Sequence, residues 1–244
     1  MKITKEFSEI LGMFAADGCL QDNYICMWGN ILEDKEYYDK IVCPLFSGVL
    51  NKKIIAHEKK SNSVYGFYIC GKEIVNSFRS LGFSNKKTYD VKIPKEIIES
   101  EDKKVISAFI RGFADCDGCL TFMKRKEKGY SKFKQKFHTY PRIFIRIASE
   151  NMINDLSYLL NKLKIDHSTY IQKSKHKNWA DMNIICIRGK TRVEKWMDKI
   201  GFNNHAKTTK YNIWKRYGFC PNNININKRN LILKNELNPY LLGQ

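Results

Sequence analysis

Two segments of the chain carry apolar side chains at the three- and four-residue spacing of a buried helix face. They are Phe7, Ile10, Leu11 and Phe14 in the first segment, and Ile106, Phe109, Ile110 and Phe113 in the second. Each segment ends in an Asp-Gly pair, at Asp17-Gly18 and at Asp117-Gly118. The pattern predicts two similar helices that both stop at glycine, the residue that a helix end favours where it needs a positive φ.

Between Arg142 and Ala148 the pattern changes to alternation, which is typical of a strand with one buried face. The apolar set is Ile143, Ile145 and Ile147, and the intervening set is Arg142, Phe144 and Arg146. We therefore expect the isoleucines to face the core, and the two arginines together with Phe144 to face outward.

The rest of the pattern predicts one element order after each helix: two strands, a helix, two strands, and a helix that stops at Gly82 or Gly201. In the first half these elements are strands over Cys19–Trp28, a helix over Leu32–Phe46, strands over Lys52–Glu58 and Val64–Ile69, and a helix over Ile74–Leu81. In the second half they are strands over Cys119–Met123 and Arg142–Ala148, a helix over Asn151–Leu163, strands over Ser168–Lys173 and Asn183–Arg188, and a helix over Val193–Ile200.

The two halves also resemble each other letter by letter. "SEILGMFAADGCL" at 8–20 returns as "SAFIRGFADCDGCL" at 107–120, and the "GK" and "GF" positions near the end of each half recur as well. We predict an α+β fold of two tandem αββαββα repeats, with a first repeat over 1–88, a linker over 89–104, a second repeat over 105–217 and an Asn-rich tail over 218–244. A long insertion separates Leu120 from Pro141 in the second repeat.

Charge narrows the class of protein. The 244 residues include 43 Lys and Arg against 25 Asp and Glu, a formal charge of +18. An excess of this size in both halves favours a surface that binds nucleic acid. The alternatives are a soluble protein that is cationic without binding nucleic acid, and an AT-rich genome, whose codon usage raises the number of lysines. No apolar stretch approaches the roughly 18 residues of a membrane span, so we expect no membrane association. Scattered cysteines favour reduced thiols in an intracellular protein.

The repeated Asp-Gly pairs suggest a metal site. A carboxylate at the negative end of a helix dipole costs about 0.3–1 kcal/mol, and a cation between two such carboxylates would offset that cost. Small residues around Gly12 and Gly112 would let the two helices pack closely and bring Asp17 beside Asp117. Carboxylate oxygens with water and phosphate are typical ligands of Mg²⁺. The alternative is an ordinary Asp-Gly helix end, which explains one copy better than it explains two.

The segments "ILGMFAADG" and "IRGFADCDG" resemble the paired signature helices of the LAGLIDADG homing endonucleases in their single-chain form. The resemblance extends over about 4–217. It implies a monomer with a pseudo-twofold axis between the signature helices, saddle-shaped antiparallel sheets that bind DNA, and cleavage of both strands that leaves 3′ overhangs. It also implies Mg²⁺ as the cofactor, with Mn²⁺ able to substitute and Ca²⁺ bound without cleavage.

Carried over position by position, the resemblance assigns metal binding to Asp17 and Asp117 with the backbone carbonyls of Ala16 and Cys116. It places catalytic basic residues after the last helix of each repeat, at Lys87 and Lys207. The sequence departs from the family pattern at the sixth signature position, which is Ala15 in the first copy and Asp115 in the second, and at the second position, which is Arg111.

Basic residues in three regions are candidates for DNA contact. Those of the insertion, which could instead be a solvated loop, are Lys124, Arg125, Lys126, Lys128, Lys132, Lys134 and Lys136. Those on predicted strands are Arg142, Arg146, Lys173 and Arg188 in the second repeat, and Lys52 and Lys53 in the first. Any single one of these could simply carry surface charge.

The sequence therefore predicts a metal-dependent, site-specific endonuclease of double-stranded DNA. Two alternatives use the same fold: a maturase that binds its host intron RNA, and a DNA-binding regulator that does not cleave. The presence of both Asp17 and Asp117 favours cleavage over the regulator but leaves a dual maturase open.

Overall fold

The first repeat begins with the helix that carries Asp17. The computed structural model describes residues 3–59, 63–85, 91–124, 137–176 and 179–242. In the first repeat its elements are α1 (Lys5–Asp17), β1 (Gly18–Leu20), β2 (Tyr24–Asn30), α2 (Lys35–Tyr37), a π-helical turn (Tyr38–Val42), α3 (Cys43–Leu50), β3 (His57–Lys59), β4 (Val64–Cys70) and α4 (Lys72–Ser80).

The second repeat follows a short helix, α5 (Lys95–Ile98). Its elements are α6 (Lys103–Asp117), β5 (Gly118–Met123), β6 (Tyr140–Ile147), α7 (Glu150–Lys162), β7 (Ser168–Gln172), β8 (Met182–Arg188) and α8 (Lys190–Lys199). Three helical segments complete the chain: α9 (His205–Tyr217), α10 (Ile226–Leu233) and a 3₁₀ turn (Pro239–Leu241).

Both sheets have the same topology. The strand order is β1-β2-β4-β3 in the first sheet and β5-β6-β8-β7 in the second, and every pair is antiparallel. The α+β architecture of two αββαββα repeats that the sequence predicts is thereby confirmed. None of the described helices is both long enough and apolar enough to cross a membrane.

The helices α1 and α6 pack at backbone distance through their glycines. A Cβ atom added to Gly12 would lie 2.0 Å from the carbonyl oxygen of Phe109, and one added to Gly112 would lie 2.2 Å from that of Glu9. The Ser8 hydroxyl also donates across the helix pair to the Val105 carbonyl at 2.8 Å. The small-residue face predicted from the sequence is therefore the contact face, and it places the C-terminal ends of both helices at the same point.

The glycines that end these helices have a different role from the one predicted. Gly18 has φ −69° and Gly118 has φ −77°, which is extended backbone that any residue adopts. A Cβ at Gly18 would instead lie 2.1 Å from the Phe14 ring, and one at Gly118 would lie 2.4 Å from the Ala114 carbonyl oxygen. The prediction of a positive φ was wrong here, and close packing is the reason for glycine. Gly82 and Gly201 do have positive φ, at 91° and 73°.

Two boundaries in the first repeat also differ from the prediction. The predicted strand over Lys52–Glu58 is reduced to β3, because the Ile54 N–H donates to the Ser47 hydroxyl at 3.0 Å instead of to a strand. The predicted helix over Leu32–Phe46 begins later and ends later, at Lys35 and Leu50. Asn30 and Asp34 close the turn before it, where the Asn30 N–H donates to the Asp34 carboxylate at 2.9 Å.

The residues after Gly218 are folded against the rest of the chain. Arg229 of α10 is buried and donates to the Thr209 hydroxyl at 3.0 Å and to the Ile224 carbonyl at 2.7 Å. Its guanidinium also pairs with Glu33, and the Ile226 N–H donates to the same carboxylate at 3.1 Å. The tail thus connects α9 of the second repeat to the turn before α2 of the first.

Candidate active site

Asp17 and Asp117 meet where α1 and α6 end. Asp17 is half-buried and Asp117 is exposed. Burial raises the pKa of Asp17 from 3.8 to about 6, and the neighbouring Asp117 carboxylate raises it further, against a hydrogen bond from Cys116 and the charge of Lys207. The structure therefore brings the two predicted carboxylates close enough to repel each other, which is an arrangement that a cation stabilises.

The carboxylate oxygens at this site suit a hard divalent ion whose other ligands are waters and substrate phosphate oxygens. The described residues contain no group of three or more His, Cys, Asp or Glu side chains suited to hold a metal. Mg²⁺ needs only one or two carboxylates, because waters and substrate phosphates supply its other oxygens. Asp17 and Asp117 match that requirement, and the backbone carbonyls of Ala16 and Cys116 precede them directly in the chain.

Lys207 lies at the same site. Its side chain is buried, and its ammonium donates to the main-chain carbonyl of Asp115 and, at 3.3 Å, to that of Cys116. The positive charge also lowers the pKa of Asp17. The structure thus brings Lys207 together with the predicted metal ligands, whereas Lys87 falls outside the described residues.

The sixth signature position of the second copy holds a structural carboxylate. Asp115 is fully buried, and both its oxygens accept from the Asn203 N–H, at 2.9 and 3.1 Å. The Asn204 N–H donates to it at 3.0 Å. Burial raises its pKa to about 6, against the charge of Lys207 and these backbone hydrogen bonds. Asp115 therefore anchors the start of α9, the helix that carries Lys207.

A third carboxylate, from Asp34, was missed in the sequence. It accepts from the Asn204 side-chain amide at 2.9 Å, and its charge contributes to the raised pKa of Asp17. Asp34 and Lys207 line a cleft of about 730 Å³ that extends along β5 and β6 to Arg142. The one local signal was Asn30 four positions before Asp34, a pairing typical of a turn.

A buried ion pair between the central helices was missed as well. The Arg111 guanidinium donates to the Glu9 carboxylate, at 2.9 Å through Nε, and to the Ile200 carbonyl at 3.2 Å. The Asn203 amide donates to the same carboxylate at 2.6 Å. Arg111, which departs from the family pattern, thus connects α1 to the segment that leads into α9.

The predicted arginine face exists, with one correction. Arg142, Arg146 and Arg188 lie on the outer face of the second sheet, and Arg142 is directly opposite Arg188 in the β6-β8 register. Phe144, predicted to be exposed between the arginines, is only 5% exposed. It packs with Ile184 and Cys186 in a small apolar cluster. The guanidiniums of Arg142 and Arg146 cover its ring, 4.6 and 5.1 Å from the ring centroid.

The other basic residues predicted to contact DNA differ in their exposure and in their partners. The Lys173 ammonium pairs with Asp181 at 2.6 Å, so part of its charge is offset. Lys52 donates to the Cys70 carbonyl at 3.2 Å, and Lys53 is exposed beside it. Lys124 is exposed just after β5. The other candidates of the insertion, Arg125, Lys126, Lys128, Lys132, Lys134 and Lys136, fall outside the described residues.

Known proteins resemble this chain both in sequence and in fold. Residues 104–201 match the family of LAGLIDADG-like domains. The replication factor C small subunit of Methanocaldococcus jannaschii is 27% identical over 208 residues, which are 84% of this chain and 10% of that protein. The chain thus spans about a tenth of the length of this curated relative.

Solved structures of homing endonucleases have the same fold. I-DmoI in complex with DNA and Ca superposes with a TM-score of 0.55 at 14% identity, covering 82% of this chain and 91% of that one. The LAGLIDADG homing endonuclease I-LtrWI bound to its target DNA gives 0.54 at 13% identity, covering 88% and 89%. Mesophilic variants of I-DmoI give 0.54 at 14% identity, covering 82% and 92%. Residues 104–201 thus resemble a LAGLIDADG-like domain in sequence, and the chain as a whole has the fold of these two-repeat homing endonucleases.

Proposed function

We propose that the chain is a metal-dependent, site-specific endonuclease that hydrolyses one phosphodiester bond in each strand of a DNA duplex and leaves 3′ overhangs. The observation that carries the proposal is the approach of Asp17 to Asp117 at the end of the α1–α6 pair, where the second carboxylate helps to raise the pKa of the first to about 6. The charge of Lys207 lowers that pKa, and a divalent ion held by both carboxylates would lower it further.

The surroundings of the pair fit a phosphate substrate. The net charge of +18 favours a polyanion, and the cleft beside Lys207 continues along the sheet to Arg142 and Arg146. Solved structures of the same fold contain DNA together with Ca or Mn, which supports both the partner and the kind of ion. Because both carboxylates come from one chain, we also propose that the protein acts as a monomer.

Each residue has a distinct role in the proposed reaction. A bound divalent ion supplies an acidic water and neutralises charge on the phosphate. Asp17 and Asp117 would hold this ion. Lys207 orients the Cys116 carbonyl through its 3.3 Å hydrogen bond and brings a positive charge to the site. Asp115 fixes the backbone at the start of α9 and so fixes Lys207.

The proposal is tested in two stages. A duplex library with a long randomised region is first selected for binding in Ca²⁺, and the enriched duplex is then incubated with Mg²⁺ or Mn²⁺. We expect both strands to be cut at fixed positions, with 3′ overhangs on mapping of the ends. A selected duplex that is bound but stays intact in both ions would show a regulator instead. Selection of structured RNA over every duplex would favour the maturase.

A further inference from the structure

The outer faces of the two sheets, turned away from the helices, have different chemistry. In the first sheet four rings form a continuous row. Trp28 meets His57 edge to face at 5.2 Å, His57 meets Tyr68 at 5.7 Å, and Tyr68 meets Tyr24 at 6.4 Å between ring centroids. Tyr68 is 58% exposed. The row presents wide, largely uncharged ring surface to whatever the sheet binds.

The register of the strands explains how the row forms. Gly66 of β4 stands between Trp28 of β2 and His57 of β3. A Cβ added to Gly66 would lie 2.0 Å from the main-chain carbonyl oxygen of Met27, so close packing of β4 against β2 requires glycine at this position between the two rings. Among the described strand residues of this face, Lys59 is the one cation, and its ammonium lies 5.7 Å from the Trp28 ring centroid.

The matching face of the second sheet carries arginine where the first carries rings. Arg142 stands opposite Arg188, and like charges directly opposite each other destabilise a strand pair. The Phe144 ring supports both Arg142 and Arg146, and the Arg188 guanidinium lies 5.9 Å from the Tyr170 ring centroid. The Arg142 Nε is buried and has no hydrogen-bond partner in the protein. The guanidiniums are thus held in place by the rings, and Arg146 and Arg188 are exposed on this face.

These two chemistries recognise different base pairs. A guanidinium donates two parallel hydrogen bonds to O6 and N7 of guanine in the major groove, whereas an apolar or aromatic surface contacts the methyl group of thymine. Two sheets of the same topology, placed by the same helix pair, would face the two halves of one duplex site. The bound site should therefore differ in composition between its halves.

We propose that the protein reads a chemically asymmetric DNA site, with guanines under the arginine face of the second sheet and thymines under the aromatic row of the first. The inference rests on the proposed binding of duplex DNA, and it goes beyond it by naming the bases in each half and the side chains that read them. Arg142 and Arg188 are the guanine-reading residues, and Trp28 and Tyr68 are the thymine-reading residues.

Base analogues test this assignment on the duplex selected by the wild-type protein. In one half, 7-deazaguanine removes only the N7 acceptor; in the other, deoxyuridine removes only the thymine methyl group. We expect 7-deazaguanine to weaken wild-type binding roughly 10- to 150-fold per contacted guanine, the range for loss of one hydrogen bond from a charged donor. Loss of one buried methyl group corresponds to a weakening of about fourfold.

Variants assign each effect to a sheet. Arg142→Lys keeps the charge but loses the two-pronged donor, so it should bind natural and 7-deazaguanine duplexes alike and remain sensitive to deoxyuridine. Tyr68→Ala should bind thymine and deoxyuridine duplexes alike and remain sensitive to 7-deazaguanine. Arg192→Lys and Tyr158→Ala are matched controls, since both residues lie on helices, and they should keep the wild-type response to both analogues.

The outcomes separate this inference from the proposed function. Failure to enrich any duplex would overturn both the binding proposal and the base assignment. A tightly bound duplex with guanine preference in both halves, or one in which Arg142→Lys changes the response in both halves, would overturn the asymmetric site alone. Preference of the aromatic row for single-stranded RNA, seen as loss of RNA binding in Tyr68→Ala with duplex binding unchanged, would also overturn it.

Discussion

The ammonium of Lys207 donates to the main-chain carbonyl of Cys116 at 3.3 Å, one residue before Asp117. A cation of α9 is thus bonded to the C-terminal end of α6, the second signature helix. The contact connects two segments that lie 91 positions apart in the chain.

Replacing Lys207 by Met should slow DNA cleavage by about 10²-fold, the usual cost of losing one preorganised electrostatic group, and the loss should fall on kcat. Lys207→Arg should not restore the rate, because the buried ammonium already contacts two carbonyls and leaves little room for a guanidinium. Lys228→Met is the control, since Lys228 is exposed on α10. Single-turnover rates on the selected duplex measure the effect. A wild-type rate for Lys207→Met would exclude this lysine from the reaction.

Gly12→Ala and Gly112→Ala should each destabilise the fold by about 1–3 kcal/mol or more, because the added Cβ would meet backbone oxygen at 2.0 and 2.2 Å. Gly48→Ala is the matched control within α3. No atom lies within 4 Å of its Cβ position, and alanine should stabilise the helix by about 0.5–1 kcal/mol. Urea unfolding measures all three. Equal stabilities of the three variants would contradict the close contact of α1 and α6.

Without metal, Asp17→Asn should stabilise the protein at pH 7.5. The folded pKa of about 6 lies above the ordinary 3.8, so ionised Asp17 costs free energy of folding above pH 6, and this cost vanishes as the pH falls towards 4. The gain should be about 1–3 kcal/mol at pH 7.5 and absent near pH 4. Thermal unfolding in EDTA measures it. Asp115→Asn should lower the stability although the pKa of Asp115 is raised as well, because an amide NH2 group would replace one of the two oxygens that accept from the N–H groups of Asn203 and Asn204. A fall in Tm for both variants at pH 7.5 would refute the assignment.

Removing Glu33 should destabilise the protein by about 3–5 kcal/mol, because it leaves the buried Arg229 guanidinium without its counter-ion, whereas removing Arg229 leaves a carboxylate that is only partly buried. Arg229→Met and Glu33→Gln are the single variants, and together they complete a double-mutant cycle. The double variant should lose clearly less than the sum of the two single losses. Additive losses would mean that the tail does not hold the turn before α2 through this pair.

The sequence alone predicted the features that appear either in both repeats or in the regular helix and strand spacing of apolar residues. Asp17, Asp117, Gly12 and Gly112 recur at equivalent points of two similar helices, so their meeting could be inferred from self-similarity. The alternation around Arg142 likewise gave the correct outer face. The prediction for Phe144 failed because alternation shows which side a residue faces and not what covers it, here two guanidiniums.

The missed parts of the site depend on partners far apart in the chain. Asp34 pairs with Asn204, Glu9 with Arg111 and Asn203, and Glu33 with Arg229. None of these pairs follows a helical or strand period, and each joins one repeat to the other or to the tail. Helix α9 was not predicted either, although it begins at the Asn204 cap and carries Lys207.

The most direct test of the metal-dependent cleavage centre compares Asp17→Asn and Asp117→Asn with the wild-type protein on the selected duplex. Binding is measured in Ca²⁺ and single-turnover cleavage in Mg²⁺. Both variants should keep near wild-type affinity and lose detectable cleavage of both strands, because each removes a carboxylate from the metal site and none from the DNA-facing sheets. Wild-type cleavage by either variant would contradict the assignment of the two carboxylates as the metal-binding centre.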